Sequence, residues 1–171
     1  MIIRSQHSHI MKSWRRCYTQ ECAKVVSAPF SPYFFSPTQQ PLPDLHTARG
    51  TAASASGTPI INIKFPHVGG HEGVGRIVTL GPGIDHKSTD IYVGMLVGIR
   101  FASRICRRCE FCLAGKEQHC IKATNHLHHE DGSFQEYIAL DADYLTILPQ
   151  DVDPVVVGPV LCAGVTAYKA R

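Results

Sequence analysis

No apolar run in this 171-residue chain is long enough to cross a bilayer as a helix. The longest, Val155 to Tyr168, is about fourteen residues and is interrupted by Gly158, Pro159 and Gly164, where a span needs roughly twenty. Excess charge is also missing. Lys and Arg number 17 against 14 Asp and Glu, a net +3 with the signs interspersed beyond residue 60, so charge points to neither nucleic acid nor a membrane surface. No secretory-leader pattern and no internal repeat is recognisable in these residues, and no G-x-G-x-x-G string occurs. Gly73 and Gly75 open that pattern but Val78 stands at its third glycine, and Gly81 and Gly83 are followed there by His86. At 44% apolar content the chain has material for one core, the size of one domain plus an appendage.

Residues 1–59 have little hydrophobic periodicity. The passage SAPFSPYFFSPTQQPLP would break any element that began in it, so a poorly ordered leader or linker is expected there. The first 43 residues hold five Lys or Arg against one acid, Glu21, which is the balance of a mitochondrial presequence. That makes a mitochondrial location the alternative to a cytoplasmic one.

Beyond residue 60 short strand-like segments alternate with Gly and Pro. GRIVTL ends at Gly81-Pro82-Gly83, MLVGIRF follows Gly94, and SFQEYIAL and YLTILP follow Asp131-Gly132. This predicts a mainly β fold of barrel or sandwich type. Asp153-Pro154 reads as an N-cap and first-turn proline opening a C-terminal helix. The histidines of Asn125-His126-Leu127-His128-His129 read as a solvated loop.

What is abundant is cysteine, and it is clustered. Four of the seven, Cys106, Cys109, Cys112 and Cys120, have the spacing C-x2-C-x2-C-x7-C. Two-residue loops turn successive thiolates toward one ion and the longer excursion closes a tetrahedron, which is zinc geometry. With sulfur in all four places no position remains for water or substrate, so the zinc would be structural. Arg104, Arg107, Arg108 and Lys116 lie beside the ligands as counter-charges to a site of about −2. An iron–sulfur cluster and disulfides are the competitors. The ferredoxin run has three residues and a proline around its last cysteine, where this chain has seven and then Ile121. An odd cysteine total without a leader argues for a reducing compartment.

Together, PHVGGHEGVGRIV, VGMLVGIRF, the cysteine cluster, DGSFQEYIALDADYLTILP and VGPVLCAGVTAYKA resemble the zinc-containing alcohol dehydrogenases of the medium-chain dehydrogenase/reductase superfamily, in particular the microbial tetrameric type. The likeness covers about residues 66–171. It implies that residues 60–171 form part of a GroES-like barrel with a zinc-binding lobe and a C-terminal helix. It also implies a catalytic zinc held by His71 and Cys162, with Glu72 beside the metal, Thr166 bordering the nicotinamide of NAD, and a small alcohol or aldehyde as substrate. In PLPDLH, Asp44 would orient a zinc ligand and His46 would be the outer member of a proton relay. Pro41 stands where the resemblance implies a third ligand, a cysteine, and Pro43 where it implies a hydroxyl. Met95-Leu96 replaces a charged turn. Members of the family form homo-oligomers.

The resemblance places the Rossmann cofactor domain beyond Arg171. The chain alone is thus expected not to bind NAD tightly and to be inactive as a fragment. The alternative is a zinc-stabilised non-catalytic remnant or binding module, with nucleic acid disfavoured for want of a recognition helix.

Overall fold

In the computed structural model the described residues are 22–27, 42–53, 57–61, 63–82, 84 and 90–170. The chain runs as β1 (Cys22–Ser27), α1 (Leu42–Ala48), β2 (Gly73–Leu80), β3 (Leu96–Ile99), β4 (Ala102–Arg104), α2 (Glu110–Leu113), β5 (Thr124–Asn125), β6 (Tyr137–Asp141), β7 (Thr146–Ile147), α3 (Pro154–Val157) and α4 (Ala163–Lys169). Short 3-10 turns lie at Glu117–His119, Ala142–Tyr144 and Gly158–Leu161. Five strands make one antiparallel sheet in the order β6-β1-β2-β3-β7, and β4 pairs with β5 separately.

The period of two in β2 and β3 sends side chains to both faces. Ile77, Val97 and Ile99 face one core with Met95, Ile84, Ile138, Leu140 and Ala142. Val74 and Leu96 face the other with Leu148, backed by Val152, Val157 and Leu161. The Met95-Leu96 replacement has a physical basis here: each residue enters a different core, at 5% and 1% exposure. Gln150 then closes the backbone around Leu96, accepting its N–H at 2.7 Å and donating to Leu148 O at 2.5 Å.

Several expectations need correction. The sheet is not a closed barrel, and the fold mixes helix with strand. Among the described residues β6 pairs only with β1, and β7 is two residues long, meeting Val97 and Gly98 alone. YLTILP yields so short a strand because Ala142–Tyr144 turns first, capped by the Asp141 carboxylate on Asp143 N–H at 3.1 Å. Residues 133–136 of SFQEYIAL form bends and not strand.

Residues 1–59 also hold more than an unstructured leader. β1 occupies the middle of the sheet, in register with β2 and β6 on its two edges, and α1 follows. CAKVVS carries no strand signal of its own, and its pairing comes from those two neighbours. Residues 1–21 and 28–41 of the suggested presequence, Pro41 among them, lie outside the described residues.

The histidine loop is solvated only at His129. Leu127 (φ 85°) is fully enclosed, and His126 and His128 are buried beside it. His126 tolerates this because its Nδ1–H donates to Asp131 O at 3.0 Å and its backbone N–H to Phe101 O at 2.9 Å.

The C-terminal helix begins as expected, with Asp153 accepting Val155 N–H at 2.9 Å and Pro154 in the first turn. It breaks at Gly158-Pro159 into a 3-10 turn before α4, since proline supplies no amide and crowds the preceding turn. Among the described residues no helix is long and apolar enough to cross a membrane.

Candidate metal centres

Among the described residues two groups of ligand-type side chains converge, each with its donor atoms within 4.8 Å of one another. The first is Cys106, Cys109, Cys112 and Cys120. Zinc–sulfur bonds of about 2.3 Å place tetrahedral sulfurs about 3.8 Å apart. Cys106 Sγ to Cys112 Sγ is 3.9 Å and Cys109 Sγ to Cys112 Sγ is 3.5 Å, so the pocket has the size of a zinc tetrahedron, and all four are free thiols. Arg107 at φ 57° supplies the sharp turn between the first two ligands.

Local amides favour charge on the first sulfur. The Arg108 N–H, with burial opposing it, draws Cys106 down to about 6. Burial and then the crowded neighbouring thiols push Cys112 up to about 12. A cluster that resists its last ionisation in this way is relieved by a divalent cation, so the donor set fits zinc.

Two of the four expected counter-charges are engaged with carboxylates. Arg107 forks onto Asp143 and Asp141 at 2.7 Å each, and Arg104 Nε lies 3.4 Å from Asp141. These two arginines tie the lobe to the end of β6.

The second group is His71, Glu72 and Cys162. His71 and Glu72 immediately precede β2, after a turn in which Gly70 adopts φ 96°. A Cβ on Gly70 would come within 2.7 Å of Phe134, so only glycine permits the chain to pass there. Cys162 arrives from the far end of the chain because the 3-10 turn lies flat on the sheet. At Gly98 a Cβ would stand 2.8 Å from Leu161, and its absence lets Leu161 seat on β3 with Cys162 next to it.

α1 contributes the supporting acid. Asp44 Oδ2 accepts from His71 Nδ1–H at 2.9 Å while Oδ1 accepts Gly70 N–H at 2.5 Å. Burial works against a charge on His71, but the Asp44 and Cys162 interactions outweigh it and lift the imidazole to about 10. Burial likewise pushes the Glu72 carboxyl up, against the pull of His71. Glu72 Oε2 is shut off from solvent with no hydrogen-bond partner among the described residues, which is costly for a carboxylate oxygen unless a cation meets it. Nitrogen, oxygen and sulfur donors in one cluster suit zinc at a site with room for a further ligand.

Other expected site residues lie outside this trio. His46 is exposed on α1, its Nδ1 paired with Thr51 Oγ1 at 2.9 Å. Pro43 offers only its carbonyl, which accepts from Thr47 Oγ1 at 2.7 Å. Thr166 is exposed on α4, and its hydroxyl donates to Cys162 O at 2.9 Å. Phe101 was not singled out from the sequence, yet its ring stands edge-on to His71 (6.2 Å between centroids) and to His128 (5.6 Å). A lone aromatic at a strand end carries no signal of such a role.

Residues 42–150 match the alcohol dehydrogenase GroES-like domain family. An alcohol dehydrogenase of Geobacillus stearothermophilus is 43% identical over 127 residues, which is 74% of this chain and 34% of that protein. One from Moraxella sp. (strain TAE123) is 41% identical over 104 residues, 61% of this chain and 30% of that protein. The chain thus spans about a third of the length of the curated relatives it matches. Among solved structures, a cinnamyl alcohol dehydrogenase of Sorghum bicolor aligns with a TM-score of 0.63 at 26% identity, over 88% of this chain and 39% of that one. A thermostable alcohol dehydrogenase of Pyrobaculum aerophilum aligns at 0.61 and 20% identity, over 86% and 38%, a likeness of fold.

Proposed function

Since the chain belongs to the alcohol dehydrogenase GroES-like domain family, we propose that it is the metal-binding part of a zinc-dependent oxidoreductase that moves a hydride between a small alcohol and a nicotinamide dinucleotide. The observation that carries this reading is the buried, unpartnered Glu72 Oε2 beside His71 and Cys162. His71, Glu72 and Cys162 hold the catalytic zinc, and Cys106, Cys109, Cys112 and Cys120 the structural one. Zinc at the first of these sites supplies Lewis acidity to a substrate oxygen.

The chain's own residues do the rest. Asp44 engages His71 Nδ1–H and so presents Nε2 to the site. Phe101 screens one side of His71 from water. Thr166 has committed its hydroxyl hydrogen to Cys162 O, so its oxygen faces a nicotinamide carboxamide only as an acceptor. His46, exposed at the edge of α1, stands at the outer end of the expected relay, but Pro43 supplies no hydroxyl to hand it a proton. The five free thiols among the described residues suit a reducing compartment such as the cytoplasm. Against the nucleic-acid reading, two of its four basic residues, Arg104 and Arg107, are paired with Asp141 and Asp143.

Zinc analysis of the purified protein, together with alcohol-dependent reduction of NAD or NADP, tests this. One tightly held zinc, lost in Cys109→Ser, is expected together with a more weakly held one lost in His71→Ala, with any turnover abolished by His71→Ala. A single zinc that responds only to Cys109→Ser overturns the catalytic reading.

A further inference from the structure

The strap that delivers His71, residues 63–70, belongs to none of the named strands. It is laid along residues 128–134 by Lys64 N–H to His128 O (2.8 Å), Gly132 N–H to Val68 O (2.7 Å), Phe134 N–H to Gly69 O (3.0 Å) and Ser133 N–H to Gly70 O (3.0 Å). Ser133 Oγ also donates to Glu72 O at 2.6 Å, so the same loop fixes the residue after His71.

Asp131 lies inside this ladder with both carboxylate oxygens engaged. Oδ1 accepts Val68 N–H at 3.0 Å, and Oδ2 meets Lys64 Nζ at 2.5 Å. Its side chain is only 11% exposed, so this charge is largely removed from water and depends on these two partners. It therefore staples the strap at two points, three and seven residues ahead of His71. Nothing else along 63–70 is tied down through a buried carboxylate except Gly70 itself, on Asp44.

We propose that Asp131, through its pairing with Lys64 and Val68 N–H, is a positioning residue that keeps His71 aligned with Asp44 and Cys162. This rests on His71, Glu72 and Cys162 being the catalytic metal site, and the test separates the two claims. The readout is the His71 imidazole in 15N-labelled protein with zinc in the cysteine lobe only, observed at the Nδ1–H bonded to Asp44. In Asp131→Asn and in Lys64→Met this resonance shifts and broadens. The double variant adds little to either single one, and Lys64→Arg, which keeps the charge, leaves it near wild type. Zinc affinity at the His71 site falls in parallel by roughly tenfold, the low end for loss of a supporting partner, while the lobe zinc stays bound.

An unchanged His71 resonance in folded Asp131→Asn overturns the proposal. Where Asp131→Asn fails to fold, Lys64→Met alone decides in the same way, since it leaves the Val68 bond intact. A resonance that moves in protein taking up no second zinc removes the metal reading and leaves the positioning role standing.

Discussion

Asp44 and His71 are 27 positions apart in sequence, and their side chains meet at 2.9 Å. The same carboxylate holds Gly70 N–H, so one acid sets both the backbone turn and the imidazole that follows it. In Asp44→Asn the amide oxygen replaces only one of the two accepting oxygens and the NH2 faces the other N–H, so the turn and the imidazole loosen together and zinc affinity at the His71 site falls by about tenfold to a hundredfold. Competition against a chromogenic chelator measures this, with the zinc of the cysteine lobe as internal reference.

The cysteine lobe should behave as a separable unit. Cys109→Ser leaves three sulfurs around the ion, and removing the zinc or the ligand should loosen residues 104–125 while β2, β3 and β6 keep their amide protection. Hydrogen exchange with and without chelator reads this directly. Uniform loss of protection across the sheet would show that the lobe and the sheet fold as one.

His126 provides a pH test. Burial lowers its pKa from the ordinary 6.5. The unfolded chain therefore takes up the proton first as pH falls. The stability contributed by the neutral, buried ring is complete above about pH 6.5 and is lost as pH drops below it toward the folded-state value. Urea unfolding between about pH 7.5 and 5 should show a steeper decline in wild type than in His126→Gln, which retains a donor for Asp131 O. Equal slopes would mean that the ring is not held neutral.

Gly70→Ala addresses the turn before His71. An alanine there must hold φ near 96° and displace Ser133 and Phe134. The cost expected from the backbone alone is about 1–3 kcal/mol, read by denaturant unfolding, with weaker zinc uptake at the His71 site accompanying it.

What could be read from the sequence followed the range of each interaction. The cysteine cluster was legible because its ligands are close in the chain, and the Asp153 cap because a helix start is a local event. β2 and β3 were legible as short β-branched segments beside Gly and Pro. β1 was not, since CAKVVS has no pattern that requires a strand and its partners lie some fifty and more than a hundred residues away. The bonds of Asp131 to Lys64 and Val68 were hidden for the same reason, and so was Gly98, whose reason for being glycine is Leu161. The histidine loop misled because polarity was taken for exposure, although His126 finds its hydrogen-bond partners inside the protein.

The place of β1 bears on how the protein acquires its fold. Val25 pairs with Ile138 on one edge and with Ile77 on the other, so the second column of the sheet joins parts of the chain synthesised far apart. During translation β2 and β3 can meet early, but β1 keeps an open edge until residue 141 has cleared the ribosome. Closing so long a loop delays the final pairing, and for that interval the nascent chain carries an unpaired strand edge open to other chains. The four cysteines at 106–120 emerge inside that interval, so the lobe they form has all its ligands before β6 arrives to complete the sheet.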